Sequence, residues 1–319
     1  MATSSASTAS TSAAASQATP LVMRIIGFCA LAHLINDLIQ SVLPAIYPML
    51  KANYDLSFAQ IGLITLTFQI TASLLQPWVG FFTDRRPAPN LLPMGTLCTL
   101  VGIVMLAFVG SFPMILLASA LVGIGSSTFH PETSRIARLA SGGRFGLAQS
   151  TFQVGGNTGS ALGPLLAAAI VIPFGQTHVA WFGLAALFFL GVTLMLRGWY
   201  KEHLNQAKAR KAVQATHGIS RNRVIAALIV LGLLVFSKYF YMASFTSYFT
   251  FFLIEKFDVS VASSQLHLFL FLGAVAAGTF FGGPIGDRIG RKAVIWFSIL
   301  GVTPFTLRCH MPTCSGPPC

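Results

Sequence analysis

GFFTDR, residues 80–85, returns as GPIGDR at residues 283–288. The offset is 203 residues, and the same offset relates NYDLS (53–57) to KFDVS (256–260). Asp55 falls on Asp258, Ser57 on Ser260, Gly80 on Gly283, Asp84 on Asp287 and Arg85 on Arg288, with no gap. Two copies of one plan in the same orientation predict a duplicated architecture. A long apolar run lies between the two motifs of each copy, so the repeated unit is built from apolar helices.

Composition supports this. Of 319 residues, 54% are hydrophobic and 9% are charged, against about 25% charged in a soluble domain. Apolar runs of bilayer-spanning length recur along the chain. The fold class is therefore an all-α polytopic membrane protein, since a β-barrel shows short alternating segments instead. Helices are expected at about 22–48, 58–82, 91–110, 114–137, 145–171, 179–197, 223–253, 263–284 and 291–307. The domains are then a disordered tail (1–20), a six-helix half (21–197), a basic cytoplasmic linker (198–222), a three-helix partial second half (223–306) and a polar tail (307–319).

The net charge of +12 lies in short loops, which fits the positive-inside rule better than nucleic-acid binding. With the N-terminus in the cytoplasm, inside loops hold sixteen Lys and Arg, while outside loops hold Lys51 and Lys256. The five cysteines have no disulfide or metal spacing, and the segment CHMPTC (309–314) is at most a weak metal half-site. No metal and no cofactor are expected. No phosphate-binding loop is present, so a proton gradient rather than ATP is the expected energy source. No enzyme constellation appears.

Polar residues inside apolar runs mark function. In HLINDLIQS (33–41), His33, Asp37, Gln40, Pro44 and Tyr47 are spaced four, three, four, three and share one helical face. Asn36 stands beside them. Desolvation disfavours the charged form of a carboxylate and of an imidazole, which suits Asp37 and His33 to proton exchange. His130 and Glu132, in HPETSR (130–135), are further proton-coupling candidates, although Glu132 and Arg135, three apart, also suit a structural or gating pair. Gln153 and Asn157 extend a polar face towards Pro164 and join Asn36 and Gln40 as substrate-cavity candidates. Lys238 lies near the middle of its helix, where it can bind an anion or pair with Asp37 across the halves. His267 is a weaker cavity candidate, more simply read as a histidine satisfied by a neighbour.

GGPIGDRIGRK (282–292) resembles the loop signature of the major facilitator superfamily, G-x-x-x-D-R-x-G-R-K. Gly283, Asp287, Arg288, Gly290, Arg291 and Lys292 match. The first copy keeps Gly80, Asp84 and Arg85 and then departs at Pro87 and Ala88. The resemblance implies a gating loop in each of two six-helix halves. GNTGSALGPLLAA (156–168) resembles an antiporter signature through Gly159, Gly163 and Pro164, with Ala167 and Ala168 where the signature closes on two glycines. The same spacing equally suits close helix packing.

Longer strings, including HLINDLIQSVLPAIYPML and LAQSTFQVGGNTGSALGPLLAA, resemble the fosmidomycin-resistance branch of that superfamily from about residue 28 to about 306. The resemblance implies a multi-pass bacterial inner-membrane antiporter, monomeric, exporting a small phosphonate drug in exchange for protons. LRCHMPTCSGPPC (307–319) departs from it, which points to a truncated or frameshifted copy. An inactive remnant, rescue by a separately made fragment, and export of another small organic anion are the alternatives.

Overall fold

A computed structural model of the chain describes residues 21–213 and 220–289, with 293, 294, 296–301 and 304. The expected tails, 1–20 and 307–319, lie outside the described residues. So do Gly290 and Arg291 and the side chains of Asp287 and Arg288. The described part of the expected ninth helix is helical.

The first apolar run is not one helix. α1 (Met23–Ala45) stops at Ile46, and α2 (Tyr47–Tyr54) resumes beyond it. Pro48 has no N–H to offer the carbonyl four residues back, so the ladder breaks there. α2 closes on Asp55 in the left-handed conformation (φ 50°, ψ 46°). Ser57 then caps α3 (Phe58–Gln69): its hydroxyl accepts from the Gln60 backbone while the Gln60 side chain accepts from the Ser57 backbone. A π turn at Ile70–Leu74 leads into α4 (Leu75–Arg85). α5 (Leu91–Ala107), α6 (Phe112–Ala140) and α7 (Phe145–Leu166) follow. A second π turn at Ala167–Val171 and the short α8 (Ile172–Phe174) finish that span.

α9 (Trp181–Val213) is longer than expected. The expected linker is helical as far as Val213, because KEHLNQAKARKAV holds strong helix formers and no Gly or Pro. α10 (Arg221–Phe257) and α11 (Val261–Ile289) complete the described helices. Among the described residues seven helices are long and apolar enough to cross a membrane, and Leu91–Ala107 is a shorter apolar one. No cis peptide bond and no strand occurs among them.

The repeat is visible in the backbone. α10 ends on Asp258 in the left-handed conformation (φ 52°, ψ 34°), at the offset of Asp55. Ser260 then accepts from the Ser263 backbone, as Ser57 does from Gln60. Asp55 and Asp258 are the non-glycine residues with positive φ among the described residues.

α7 lies along α1 in backbone contact. A Cβ on Gly155 would strike the Ala30 carbonyl, one on Gly159 the Leu34 carbonyl, and one on Gly163 the Ser41 hydroxyl and Leu38 carbonyl. This is close packing of small residues at spacing four. α6 packs on the π turn in the same way, through Gly123 against Phe68 and Ala72.

The second part meets the first at the end of the bundle that carries Lys51 and Lys256. There Phe58 packs edge-on against Phe251 (5.3 Å) and Thr65 meets Ser247 (3.3 Å). Gln265 donates to the Ala45 carbonyl (2.8 Å), where α1 breaks. Ala161 of α7 clusters with Leu268 and Leu272 of α11. Towards the basic end α10 loses these contacts, and residues 222–241 are exposed. The space between the two parts therefore opens towards the basic end.

The left-handed caps make a testable point. Asp55→Val and Asp258→Val each lose about 1 kcal/mol, because a β-branched side chain lacks the local hydrogen bonding that lets Asp tolerate left-handed backbone, whereas the glycine variants hold or gain stability. Thermal unfolding of the detergent-solubilised chain, followed by tryptophan fluorescence, measures both.

Candidate functional site

Asp37 stands in the fifteenth position of α1, about 21 Å along it at 1.5 Å per residue. It sits at the centre of a hydrogen-bonded cluster. Its Oδ2 lies 3.2 Å from His33 Nε2, one turn away on α1. Its Oδ1 accepts from the Asn36 amide (3.0 Å) and the Gln40 amide (3.4 Å), and lies 3.8 Å from His130 Nε2 of α6. The Gln40 amide is itself oriented, since Ser126 of α6 donates to its Oε1 (3.2 Å).

His33 is clamped. Its Nδ1–H donates to the Phe152 carbonyl of α7 (2.8 Å), and its ring stacks on Phe152 with centroids 4.0 Å apart. With Nδ1 donating, Nε2 is the atom left to share a proton with Asp37. Two lone pairs cannot face each other at 3.2 Å, so the pair holds one proton between Nε2 and Oδ2. His33 is 3% exposed, whereas Asp37 is 18% and His130 25% exposed. Asp37 and His130 are therefore the more accessible members of the cluster. Gly156 permits this packing: a Cβ there would meet His33 Nε2 and Asp37 Oδ2.

The ligand atoms of His33, Asp37 and His130 lie within 4.8 Å of one another. Single residues read along the chain gave no metal spacing, because His130 comes from another helix. The geometry suits a proton better than an ion: Oδ1, the oxygen nearer His130, already accepts from two amides.

The other candidates divide. Asn36 is fully buried and turns its amide to Asp37, with Oδ1 unpaired; it backs the carboxylate and does not line the cavity. Gln153 donates to Asn157 (3.1 Å), and both are half-buried on α7. Lys238 does not reach Asp37. It is exposed, with Nζ 5.4 Å from the Tyr239 ring, and forms no ion pair with a described residue. His267 is satisfied within its own helix, donating to the Ser263 carbonyl (2.8 Å).

A second cluster ties α4 to α6 at the basic end. Arg135 pairs with Asp84 (2.8 Å) and with Glu132 (2.5 Å), and donates to Thr83 (3.1 Å). Glu132 is fully buried, so its charge is held by Arg135 rather than open to the cavity. Arg85 is exposed and covers the Phe81 ring at 3.8 Å. Gly80 faces Pro131 of α6. Gly159, Gly163 and Pro164 are buried, and the two glycines bear on α1.

Sequence reading missed Ser126 and the Phe152 carbonyl. Ser126 carried a signal, standing four residues before His130 on the same helix face. The carbonyl depends on how separate helices meet.

The Major Facilitator Superfamily pattern matches residues 29–312. The fosmidomycin resistance protein of Escherichia coli K12 is 58% identical over 283 residues, spanning 89% of this chain and 70% of that protein. An uncharacterized transporter of the same type from Bacillus subtilis, YfnC, is 38% identical over 289 residues, spanning 90% of this chain and 70% of that protein. Two solved structures share the fold. A bacterial homologue of the lysosomal transporter Spinster has a TM-score of 0.62 at 17% identity, over 86% of this chain and 64% of that one. A D-xylose–proton symporter has a TM-score of 0.63 at 16% identity, over 85% and 70%. The chain thus spans 70% of its two curated relatives and about two thirds of these structures. These are transporters and not enzymes, and the chain belongs to the Major Facilitator Superfamily, as a multi-pass membrane protein whose substrates are small molecules.

Proposed function

We propose that this chain is an inner-membrane antiporter that exports a small phosphonate-class drug in exchange for protons, by alternating access. The observation that carries the reading is the His33–Asp37–His130 cluster, a one-proton site with its exposed members at the mouth of the opening. The 58% identity to a fosmidomycin resistance protein supplies the substrate class. Gln40, Gln153 and Asn157 are neutral hydrogen-bonding groups that suit a phosphonate's oxygens without binding it permanently.

The basic end faces the cytoplasm on the positive-inside rule. The opening then faces inward, and the contacts around Thr65, Ser247 and Gln265 close the outer side. Drug and proton compete for one cavity, so each crossing carries one of them. The Arg135 cluster, with Asp84 and Glu132, is the inner gate's fixed point, holding α4 to α6 while the halves rock. The linker joins the two halves, and the transporter works as a monomer.

In everted vesicles with an imposed pH gradient, adding fosmidomycin to the wild-type chain dissipates the gradient. Asp37→Asn lowers that drug-dependent proton flux about a hundredfold, the low end for loss of a positioned proton-transfer group. Drug-for-drug exchange survives in the variant. If Asp37→Asn keeps full proton-driven export, the coupling role is lost; if another organic anion and not fosmidomycin moves protons, the substrate class is wrong.

Arg135→Gln leaves Glu132 buried and unpaired, which costs about 3–5 kcal/mol. The double variant Arg135→Gln/Glu132→Gln recovers most of that. Thermal unfolding in detergent reads the difference, and a single variant as stable as the double one sinks the pairing.

A further inference from the structure

His33, Asp37 and His130 bring three ligand atoms within 4.8 Å of one another. A proton is one occupant of such a cluster, and the same atoms meet the demands of another. Zinc bonds imidazole nitrogen and carboxylate oxygen at about 2.0–2.2 Å, in tetrahedral array, so its ligands stand about 3.4 Å apart. His33 Nε2 lies 3.2 Å from Asp37 Oδ2, and His130 Nε2 lies 3.8 Å from Asp37 Oδ1. These distances bracket that spacing. His130, the most exposed of the three, has space to close the rest.

Three features support a second occupant. First, the surroundings orient the ligands. His33 Nδ1–H donates to the Phe152 carbonyl and so aims Nε2 inward, which is how proteins commonly hold a ligating imidazole. The Asn36 and Gln40 amides take Oδ1 of Asp37 and leave Oδ2 without an amide. Secondly, there is room at the right atoms. A Cβ on Gly156 would meet His33 Nε2 and Asp37 Oδ2, and the glycine keeps that space open. Thirdly, the inner side is apolar and the outer side is not. Phe152 and Phe129 flank the His33 ring at 4.0 and 5.9 Å, and His130 meets that ring edge-on at 5.0 Å. Asp37 and His130 remain partly exposed, which gives an ion a way in and a water for its fourth position.

We propose that the cluster is also a site for a borderline divalent cation, Zn²⁺, ligated by His33 Nε2, Asp37 Oδ2 and His130 Nε2, with water completing the tetrahedron. The ion takes the place of the proton shared by His33 and Asp37, and that proton leaves to solvent. Two imidazoles and one carboxylate suit zinc and its transition-metal neighbours. Mg²⁺ demands six oxygens in octahedral array and finds one or two here. Binding does not depend on the antiport reading. Its effect on transport does rest on that reading: an ion in this place denies the proton its seat, and export stops.

Co²⁺ is the probe, because a tetrahedral site gives it strong visible absorption and an octahedral surface site does not. Titrated into the full chain in detergent, it gives visible bands that Zn²⁺ erases and Mg²⁺ leaves. His130→Gln weakens Co²⁺ binding about a hundredfold, since loss of an orienting partner alone costs roughly 10–100-fold. His130→Cys keeps the ion and adds sulfur-to-cobalt absorption in the near ultraviolet. Wild-type bands that carry this sulfur absorption belong to the tail thiols, Cys309, Cys314 and Cys319, and overturn the proposal. His178→Gln and His203→Gln, away from the cluster, leave the spectrum unchanged. Absence of visible bands in the wild type, or bands untouched by His130→Gln, overturns the proposal as well. Thermal unfolding without metal confirms that each variant is folded, and His130→Cys carries the test where His130→Gln is not. In everted vesicles Zn²⁺ slows the drug-dependent proton flux and Mg²⁺ does not. Visible bands without that block support the metal site and overturn the proton role of the cluster.

Discussion

The contact on which the rest depends is the seam between α1 and α7. In a bilayer the hydrophobic effect does not draw one helix to another, so close van der Waals contact must do so. Gly155, Gly159 and Gly163 bring the α7 backbone onto the α1 backbone at three successive turns. The same approach puts the Phe152 carbonyl within reach of His33 Nδ1 and leaves room at Gly156 for the His33–Asp37 pair. One packing choice thus joins two helices and sets the tautomer of a histidine. A methyl group anywhere on this seam would lift the carbonyl away from the ring, and His33 would then be free to place its proton on either nitrogen.

Buried charge is the second constraint, and the two clusters answer it differently. Glu132 meets Arg135 directly and is sealed. Among the described residues Asp37 has no arginine or lysine partner; it meets two imidazoles and two amides. An arginine partner would hold the carboxylate ionised through any cycle, whereas an imidazole gives up its proton in the physiological range. The partner type therefore separates a tie that holds from a site that can exchange. Neutral amides fix the orientation of the Asp37 carboxylate without fixing its charge, and Ser126 fixes one of the amides in turn.

How much of this could be read from the chain follows the range of each interaction. The duplicated plan was legible because it is periodic: Asp55 and Asp258 recur at a fixed offset and both take the left-handed cap. The polar face of α1 was legible because spacings of three and four define it within one helix. The Glu132–Arg135 pair was legible for the same reason. Lys238 was not placed by its position in the chain, because depth in a helix says nothing about direction: its Nζ lies over the Tyr239 ring and not at Asp37. The linker misled because charge was read as loop, although Lys, Gln, Ala and Arg in series are good helix formers. The place of Arg135 between two carboxylates, one of them on α4, needed the crossing of two helices and had no signature in either.

A division of labour follows from where the groups lie. His33, Asn36, Asp37 and Gln40 stand on α1, Ser126 and His130 on α6, and Phe152 on α7. Every group that hydrogen-bonds or ion-pairs with the cluster belongs to the first half, among the described residues. The second part meets the first at the far end, through Phe251, Ser247 and Gln265. Along α7, Leu268 and Leu272 of α11 also pack on Ala161, away from the hydrogen bonds of the cluster. Rocking the second part about the first would therefore leave the proton site's bonds unbroken while exchanging the side from which it is reached. In the proposed cycle, what changes between the two faces is access to Asp37 and His130, and the site that carries the proton moves as a rigid body.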